Sequence, residues 1–319
     1  MKIVITIDTE EDNWNQYSRT DNPCKNIEHI ASLHALFESF SVIPTYLVTL
    51  PVINDKKSQA ILKKIVSEKK CEIGTHCHPW NTPPFDEPLI KTNTMLSNLS
   101  QESIQKKIST LHTAIQEKLG VTPVSFRSGR YGFNEKVAHA LEKLNYKFDT
   151  SITPFEDQSP YQGPDFTEYS PWPYRFSSKN IFKPDQNGAL IEIPISTGFL
   201  QKNYIFYNRL FKFLQNRSIA IKFRAIGILN ALRILNKVSL NPERFSEKEM
   251  VALVKVLRLK GAKILNLTFH STSLKAGFSP FTKTEQDEQR IFYRINTFLK
   301  FINDEGIECI RLSDVINDL

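Results

Sequence analysis

The first apolar run, Lys2 to Ile7, stops at an acid, Asp8, and reads as a strand. Further short apolar runs, at Ile43 to Val48, Cys71 to Gly74, Pro123 to Phe126, Tyr146 to Phe148, Leu190 to Ile193, Lys263 to Phe269 and Ile307 to Ile310, predict seven more strands. Helical stripes fall between most of them. Ile30, Leu33, Phe37 and Phe40 form one, and Ile104, Ile108, Leu111, Ile115 and Leu119 form a longer one, entered near Ser100 and closed by Gly120. Ser246 with Glu249, and Thr284 with Asp287, have capping-box spacing and open two helices that should stop near Gly261 and Gly306. Strands alternating with helices predict an α/β fold around a largely parallel sheet. Between Thr153 and Asn187 the pattern gives way to Pro, Tyr, Ser and Asp, which predicts a long irregular excursion. No internal repeat and no second core are expected.

Composition narrows the class. With 319 residues, 40% hydrophobic and 24% charged, the chain is too apolar for intrinsic disorder and large enough to need no staples. Its four cysteines, Cys24, Cys71, Cys77 and Cys309, form no CxxC pair and read as reduced thiols, which predicts a cytoplasmic protein. The opening strand does not resemble a signal peptide, and no apolar run reaches the roughly 20 residues of a membrane span.

The net charge of +7 is local. Between Glu192 and Glu243 there is no carboxylate, while Lys202, Arg209, Lys212, Arg217, Lys222, Arg224, Arg233 and Lys237 lie there among Phe and Leu residues. Such a stretch is either a helical excursion with a solvated basic face or, over 202–237, a peripheral contact for an anionic membrane or a lipid-linked substrate. No nucleic-acid-binding motif accompanies it, so no nucleic-acid partner is expected.

In a parallel α/β sheet, residues at the carboxyl ends of the strands converge on one rim. Here those ends present Asp8 and Glu10, His76 and His78, Arg127, Asp149, and His270. In extended backbone, residues two apart point the same way, so both imidazoles of His76-Cys77-His78 can reach one cation while Cys77 points away. Asp8 and Glu10 likewise share a side, one suited to bind a cation and the other to take a proton from water. Their alternative is surface charge, continuous with Glu11 and Asp12. Cys77 is not read as a nucleophile, because no activating base is implied.

In their order along the chain these pieces resemble the polysaccharide deacetylase family, carbohydrate esterases with a NodB-like domain. Thr6-Ile7-Asp8-Thr9-Glu10, Glu72 to His78, Phe126 to Gly132, Phe148 to Ser151 and Leu267 to His270 are similar to its five motifs. The resemblance implies one domain over 1–319, a distorted (β/α) barrel, with an irregular and basic helical insertion at 153–245. It implies Asp8 as catalytic base, Glu10, His76 and His78 as ligands of a divalent metal, by default zinc, and His270 as general acid. Arg127 would hold Asp8, and Asp149 would support the arginine or the acid. The activity implied is hydrolysis of an acetyl group on a sugar or polysaccharide precursor, in surface polysaccharide biosynthesis.

Three departures mark the chain as divergent. Thr9 stands where the family's usual first motif has a second Asp, the histidines are two rather than four apart, and the third motif lacks its usual proline, which touches the backbone donor expected near Tyr131. Trp80, Arg130 and Tyr131 are the substrate-binding candidates, Trp80 being either a sugar-stacking platform or a loop anchor. Arg127 has a second reading as a structural ion-pair partner of Asp149, and His270 as a hydrogen-bonded rim residue. The alternatives for the whole are a catalytically silent sugar-binding barrel and another metal-dependent amidohydrolase, which would carry HxH on its first strand.

Overall fold

A computed structural model describes residues 1–12, 14, 16–215 and 225–318. Arg217, Lys222 and Arg224 of the basic stretch lie outside the described residues. Strands β1 (Lys2–Thr9), β2 (Thr45–Val48), β3 (Glu72–Cys77), β4 (Ser125–Ser128), β5 (Phe148–Asp149), β6 (Tyr174–Phe176), β7 (Leu190–Glu192), β10 (Ile264–His270) and β11 (Glu308–Cys309) form one sheet. Its order is β10-β1-β2-β3-β4-β5-β7-β6, with β11 also paired to β1, and only β6 runs antiparallel. A separate hairpin is made by β8 (Thr197–Phe199) and β9 (Lys237–Ser239). All eight expected strands are present; β6, β8 and β9 are additions, each only three residues long and too short to show a pattern.

The sheet curls into a barrel whose gap, between β7 and β10, is bridged by single hydrogen bonds. The Ser196 amide donates to the Asn266 carbonyl at 3.1 Å and the Thr268 amide to the Leu240 carbonyl at 2.9 Å. The fold is therefore the expected distorted (β/α) barrel. The described α-helices are α1 (Ile30–Ser39), α2 (Leu50–Asn54), α3 (Lys56–Ser67), α4 (Gln101–Leu119), α5 (Glu135–Lys143), α6 (Tyr204–Gln215), α7 (Ala225–Ala231), α8 (Glu247–Leu259) and α9 (Glu285–Asp304), together with short 3-10 turns. The expected caps form: Ser100 accepts from the Ser103 amide, Gly120 turns left-handed at φ 72°, and both capping boxes close.

The two-residue period of β1 sorts its side chains. Ile3, Ile5 and Ile7, at 0–1% exposure, face the helices, each contributing about 1.5–3 kcal/mol of burial. Val4 points the other way, into an apolar plug with Phe148, Ile193, Ile264 and Leu312. Above it come a layer of buried polar groups, Thr6, Asn266, Arg127 and Thr268, and then Asp8 and Glu10. A small third cluster, Phe155, Phe199 and Leu235, lies under α6, where no further core was expected. All four cysteines are free, and no described helix is long and apolar enough to cross a membrane.

Candidate active site

Strand register assembles the rim. Asp8 lies opposite His270 across β1 and β10, and His76 opposite Arg127 across β3 and β4. Glu10, one residue past β1, turns its Oε2 to within 3.7 Å of His76 Nε2 and 3.3 Å of His78 Nε2. The three donor atoms lie within 4.8 Å of one another, and all three residues are buried. Ligands of a tetrahedral ion at about 2.0–2.1 Å stand roughly 3.4 Å apart, so this donor set fits a divalent cation. The two-residue spacing of the histidines thus still lets both imidazoles converge.

The remaining nitrogen of each imidazole is already used. His76 Nδ1 donates to the Arg127 carbonyl at 3.1 Å, and His78 Nδ1 to Glu11 Oε1 at 2.9 Å. Both bonds leave Nε2 facing the cluster, the arrangement that fixes a ligating histidine. Glu11 is itself held by Asn81 Nδ2 at 2.7 Å and Thr49 Oγ1 at 3.1 Å. Burial opposes charge on His78, but Glu11 and Glu10 outweigh it and raise its pKa to about 10. Burial likewise opposes the Glu10 carboxylate, yet His270, His76 and His78 hold its pKa below the ordinary range.

Arg127 crosses the barrel interior fully buried, and all five of its donors are taken. Nε donates to the Thr150 carbonyl at 2.9 Å, Nη1 to Asp8 Oδ1 at 2.5 Å and Thr268 Oγ1 at 2.7 Å, and Nη2 to Thr6 Oγ1 at 2.8 Å and Thr150 Oγ1 at 3.0 Å. Burial raises the Asp8 pKa, but Arg127 and the two nearby imidazoles overcome it, so Asp8 remains ionised. Its second oxygen, Oδ2, faces His270 Nε2 at 3.6 Å. His270 donates from Nδ1 to Glu243, whose Oε2 lies at 3.0 Å, and Glu243 also accepts from the His270 amide and from Ser273. Against burial, Glu243 leads in raising the His270 pKa to about 9, which keeps the ring protonated near neutral pH.

Asp149 is not where the resemblance would put it. Register pairs it with Phe126, whose ring packs on the helix side, while Arg127 points into the barrel. Asp149 instead accepts from the Ser151 amide and hydroxyl at 3.0 and 2.8 Å and faces Glu192 across β7; no ion pair links it to Arg127 or His270. Burial and their mutual repulsion raise the pKa of Glu192, and burial raises that of Asp149.

Trp80, read as either a sugar-stacking platform or a loop anchor, packs against one of the candidate ligands at the cavity wall. It stacks on His78 with centroids 4.0 Å apart and is 7% exposed, so this face braces an imidazole rather than a pyranose ring. Its loop is anchored from α4 by the buried Lys107, which donates to the carbonyls of Pro79, Thr82 and Pro84 and pairs with Glu87. Arg130 and Tyr131 line the same cavity in consecutive left-handed conformations, φ 54° and 58°. Arg130 donates to Thr94 and lies 5.6 Å from the Tyr17 ring centroid. Gly129, just before them, passes so close that a Cβ would sit 2.6 Å from His78 Cδ2. Cys77 points away and is buried, its pKa pushed up to about 12, which suits a structural thiol.

Glu11, Glu243 and Trp14, whose ring meets His270 edge-on at 4.7 Å, were missed in the sequence. Glu11 sits in an acidic run that reads as solvated, and Glu243 lies 27 positions from its partner. The cavity enclosing these groups has a volume of about 510 Å³ and is also lined by Glu156, Gln215, Asn241 and Arg244. A cavity of about 550 Å³ elsewhere, beside Trp172 and Ile264, contains none of the site residues.

Fold and site together define a (β/α) barrel with a buried Glu-His-His cluster beside an ionised Asp and a protonated His, an arrangement suited to metal-assisted hydrolysis. Residues 34–148 match the sequence model of the polysaccharide deacetylase family, a stretch that includes His76, His78 and Arg127 but not Asp8, Glu10 or His270. No curated protein matches the chain. Among solved structures, a protein from Parabacteroides distasonis assigned as a glycoside hydrolase or deacetylase superposes with a TM-score of 0.63 at 13% identity, covering 98% of this chain and 69% of that one. One from Mycobacterium smegmatis, assigned as a polysaccharide deacetylase, gives 0.57 at 12%, covering 99% and 89%. A 4-alpha-glucanotransferase from Thermococcus litoralis gives 0.53 at 12%, covering 100% and 41%. At such identities these likenesses establish the fold. The family match over 34–148 agrees with the resemblance read from the motifs: over that stretch the chain is similar to the polysaccharide deacetylases.

Proposed function

We propose that the protein is a metal-dependent hydrolase that removes an acetyl group from a sugar or a polysaccharide precursor. The observation that carries this reading is the convergence of Glu10, His76 and His78 beside Asp8 and His270, drawn from three strand ends and one cavity. Two imidazoles and a carboxylate suit zinc, and a cation held there would supply Lewis acidity toward the acetyl carbonyl.

The chain's own groups supply the proton transfers. Asp8 Oδ2, its partner oxygen being occupied by Arg127, is placed to take a proton from the attacking water. His270, protonated at Nε2 and oriented by Glu243, is placed to give one to the departing nitrogen or oxygen. Bond-making to carbon and bond-breaking to the sugar then have a base and an acid facing one space. Arg130 and Tyr131 form the wall nearest the arginine strand and are the substrate-contact candidates. The unpaired cysteines favour a reducing compartment, hence an intracellular intermediate in surface polysaccharide assembly over a mature wall polymer.

Acetate release from acetylated amino sugars and from acetylated xylan, before and after chelation and with zinc or cobalt restored, tests this. Activity lost on chelation, recovered with metal and abolished in Asp8→Asn is expected. Full activity in chelator, or in Asp8→Asn, overturns the assignment.

A further inference from the structure

On the excursion carrying α6 and α7, several apolar and cationic groups of the described surface are exposed together. On α6 the inward residues Tyr207, Leu210, Phe211 and Leu214 pack over Phe155, Phe199 and Leu235. The outward arc is not a solvated face: Ile205 is 69% and Phe206 54% exposed, with Arg209 between them on the helical wheel. The α7 side continues this, with Ile228, Leu232 and Ile234 at 53%, 63% and 46% exposure beside Arg233.

Charge separates two kinds of cation here. Lys212 pairs with Glu168 at 3.2 Å and Lys237 with Glu156 at 2.9 Å, both on the inner side of the excursion. Lys202, Arg209 and Arg233 are exposed, and among the described residues no carboxylate reaches ion-pair distance of them. A solvated basic face would not also expose large aliphatic and aromatic groups, and single scattered apolar residues would not share one side with unopposed cations.

We propose that this outward face of α6 and α7 docks on an anionic lipid surface. A second copy of the chain fits less well, because two such faces would oppose like charges. Gln215, at the end of α6, lines the catalytic cavity, so docking sets the cavity's edge beside the bilayer. Resting on the deacetylase reading, this makes the acetylated sugar one carried at the membrane surface.

The full chain is sedimented with vesicles of phosphatidylcholine containing about a third phosphatidylglycerol, and with phosphatidylcholine alone, at about 50 and 500 mM salt. Binding to the anionic vesicles at low salt is expected. Removing Lys202, Arg209 and Arg233 together as Gln should weaken it by about fivefold for each cation. Phe206→Ser with Leu232→Ser should weaken it at least tenfold at unchanged far-UV circular dichroism. No binding to anionic vesicles, or undiminished wild-type binding by both variants, overturns the proposal. So does a concentration-dependent dimer in light scattering that Phe206→Ser with Leu232→Ser abolishes, since a second copy would then cover the face. Vesicle binding requires no turnover and acetate release from a soluble substrate requires no vesicle, so either reading can fail without the other.

Discussion

Replacing Arg127 by Met removes the guanidinium paired with Asp8 from a fully buried position while conserving much of the side-chain volume. Thr6, Thr150 and Thr268 each lose a charged donor, although Thr6 still donates to Asn266 and Thr150 still accepts from it. Asp8, at 2% exposure, cannot turn to water. Breaking a buried ion pair from one side costs about 3–5 kcal/mol, a third or more of the roughly 5–15 kcal/mol that holds a typical domain together. Equilibrium urea unfolding of the metal-free protein at pH 7 should therefore show a loss of that size for Arg127→Met, and a comparable one for Asp8→Asn. The double variant should lose clearly less than the sum of the two. Sign follows from the same geometry: Arg127 lowers the Asp8 pKa, so the pair stabilises the fold above the unfolded carboxylate's pKa and ceases to do so as pH falls through the folded one. Additivity of the two single changes within about 0.5 kcal/mol, or a loss under about 1 kcal/mol for Arg127→Met, would falsify the claim that this ion pair organises the barrel interior. Loss of acetate release by about 10²–10⁴-fold should accompany the stability change, because a neutral Asp8 cannot accept a proton.

Three further outcomes follow from contacts around the cluster. Glu11→Gln should weaken divalent-cation binding by about 10–100-fold in calorimetry, and in the metal-free protein the His78 titration followed by NMR should fall from about 10; unchanged affinity would remove Glu11 from the site. Glu243→Gln removes the carboxylate that favours protonated His270, so the ring should titrate below about 9 and the alkaline limb of activity should move to lower pH; an upward or absent shift contradicts the assignment of His270 as acid. Gly129→Ala places a methyl 2.6 Å from His78 Cδ2 and 2.8 Å from the Cys77 carbonyl, and should lower metal affinity at least about tenfold with the helical signal intact; wild-type affinity would show that this approach is not tight.

Much of the site was legible because strand ends leave a local trace. A two-residue period places Val4, Thr6, Asp8 and Glu10 on one side of the first strand, and the same geometry aims His76 and His78 together. Hydrophobic stripes and capping boxes likewise announce α4, α8 and α9 from neighbouring residues alone. The partners of these groups left no such trace. Glu243 meets His270 through a loop 27 residues away, Lys107 sits as one charged position within an apolar helical stripe, and Trp80 spends its face on a ring two residues earlier in the chain.

By itself the amino-acid order determined which residues arrive at the rim, since backbone periodicity and helix ends depend only on near neighbours. Tertiary structure alone decided which of them touch. Strand register turned Asp149 toward Glu192 and away from Arg127, and curling of the sheet brought Thr268 and Asp8 to one guanidinium. Register and curvature are set by packing summed over the whole barrel, a property no local stretch of sequence contains.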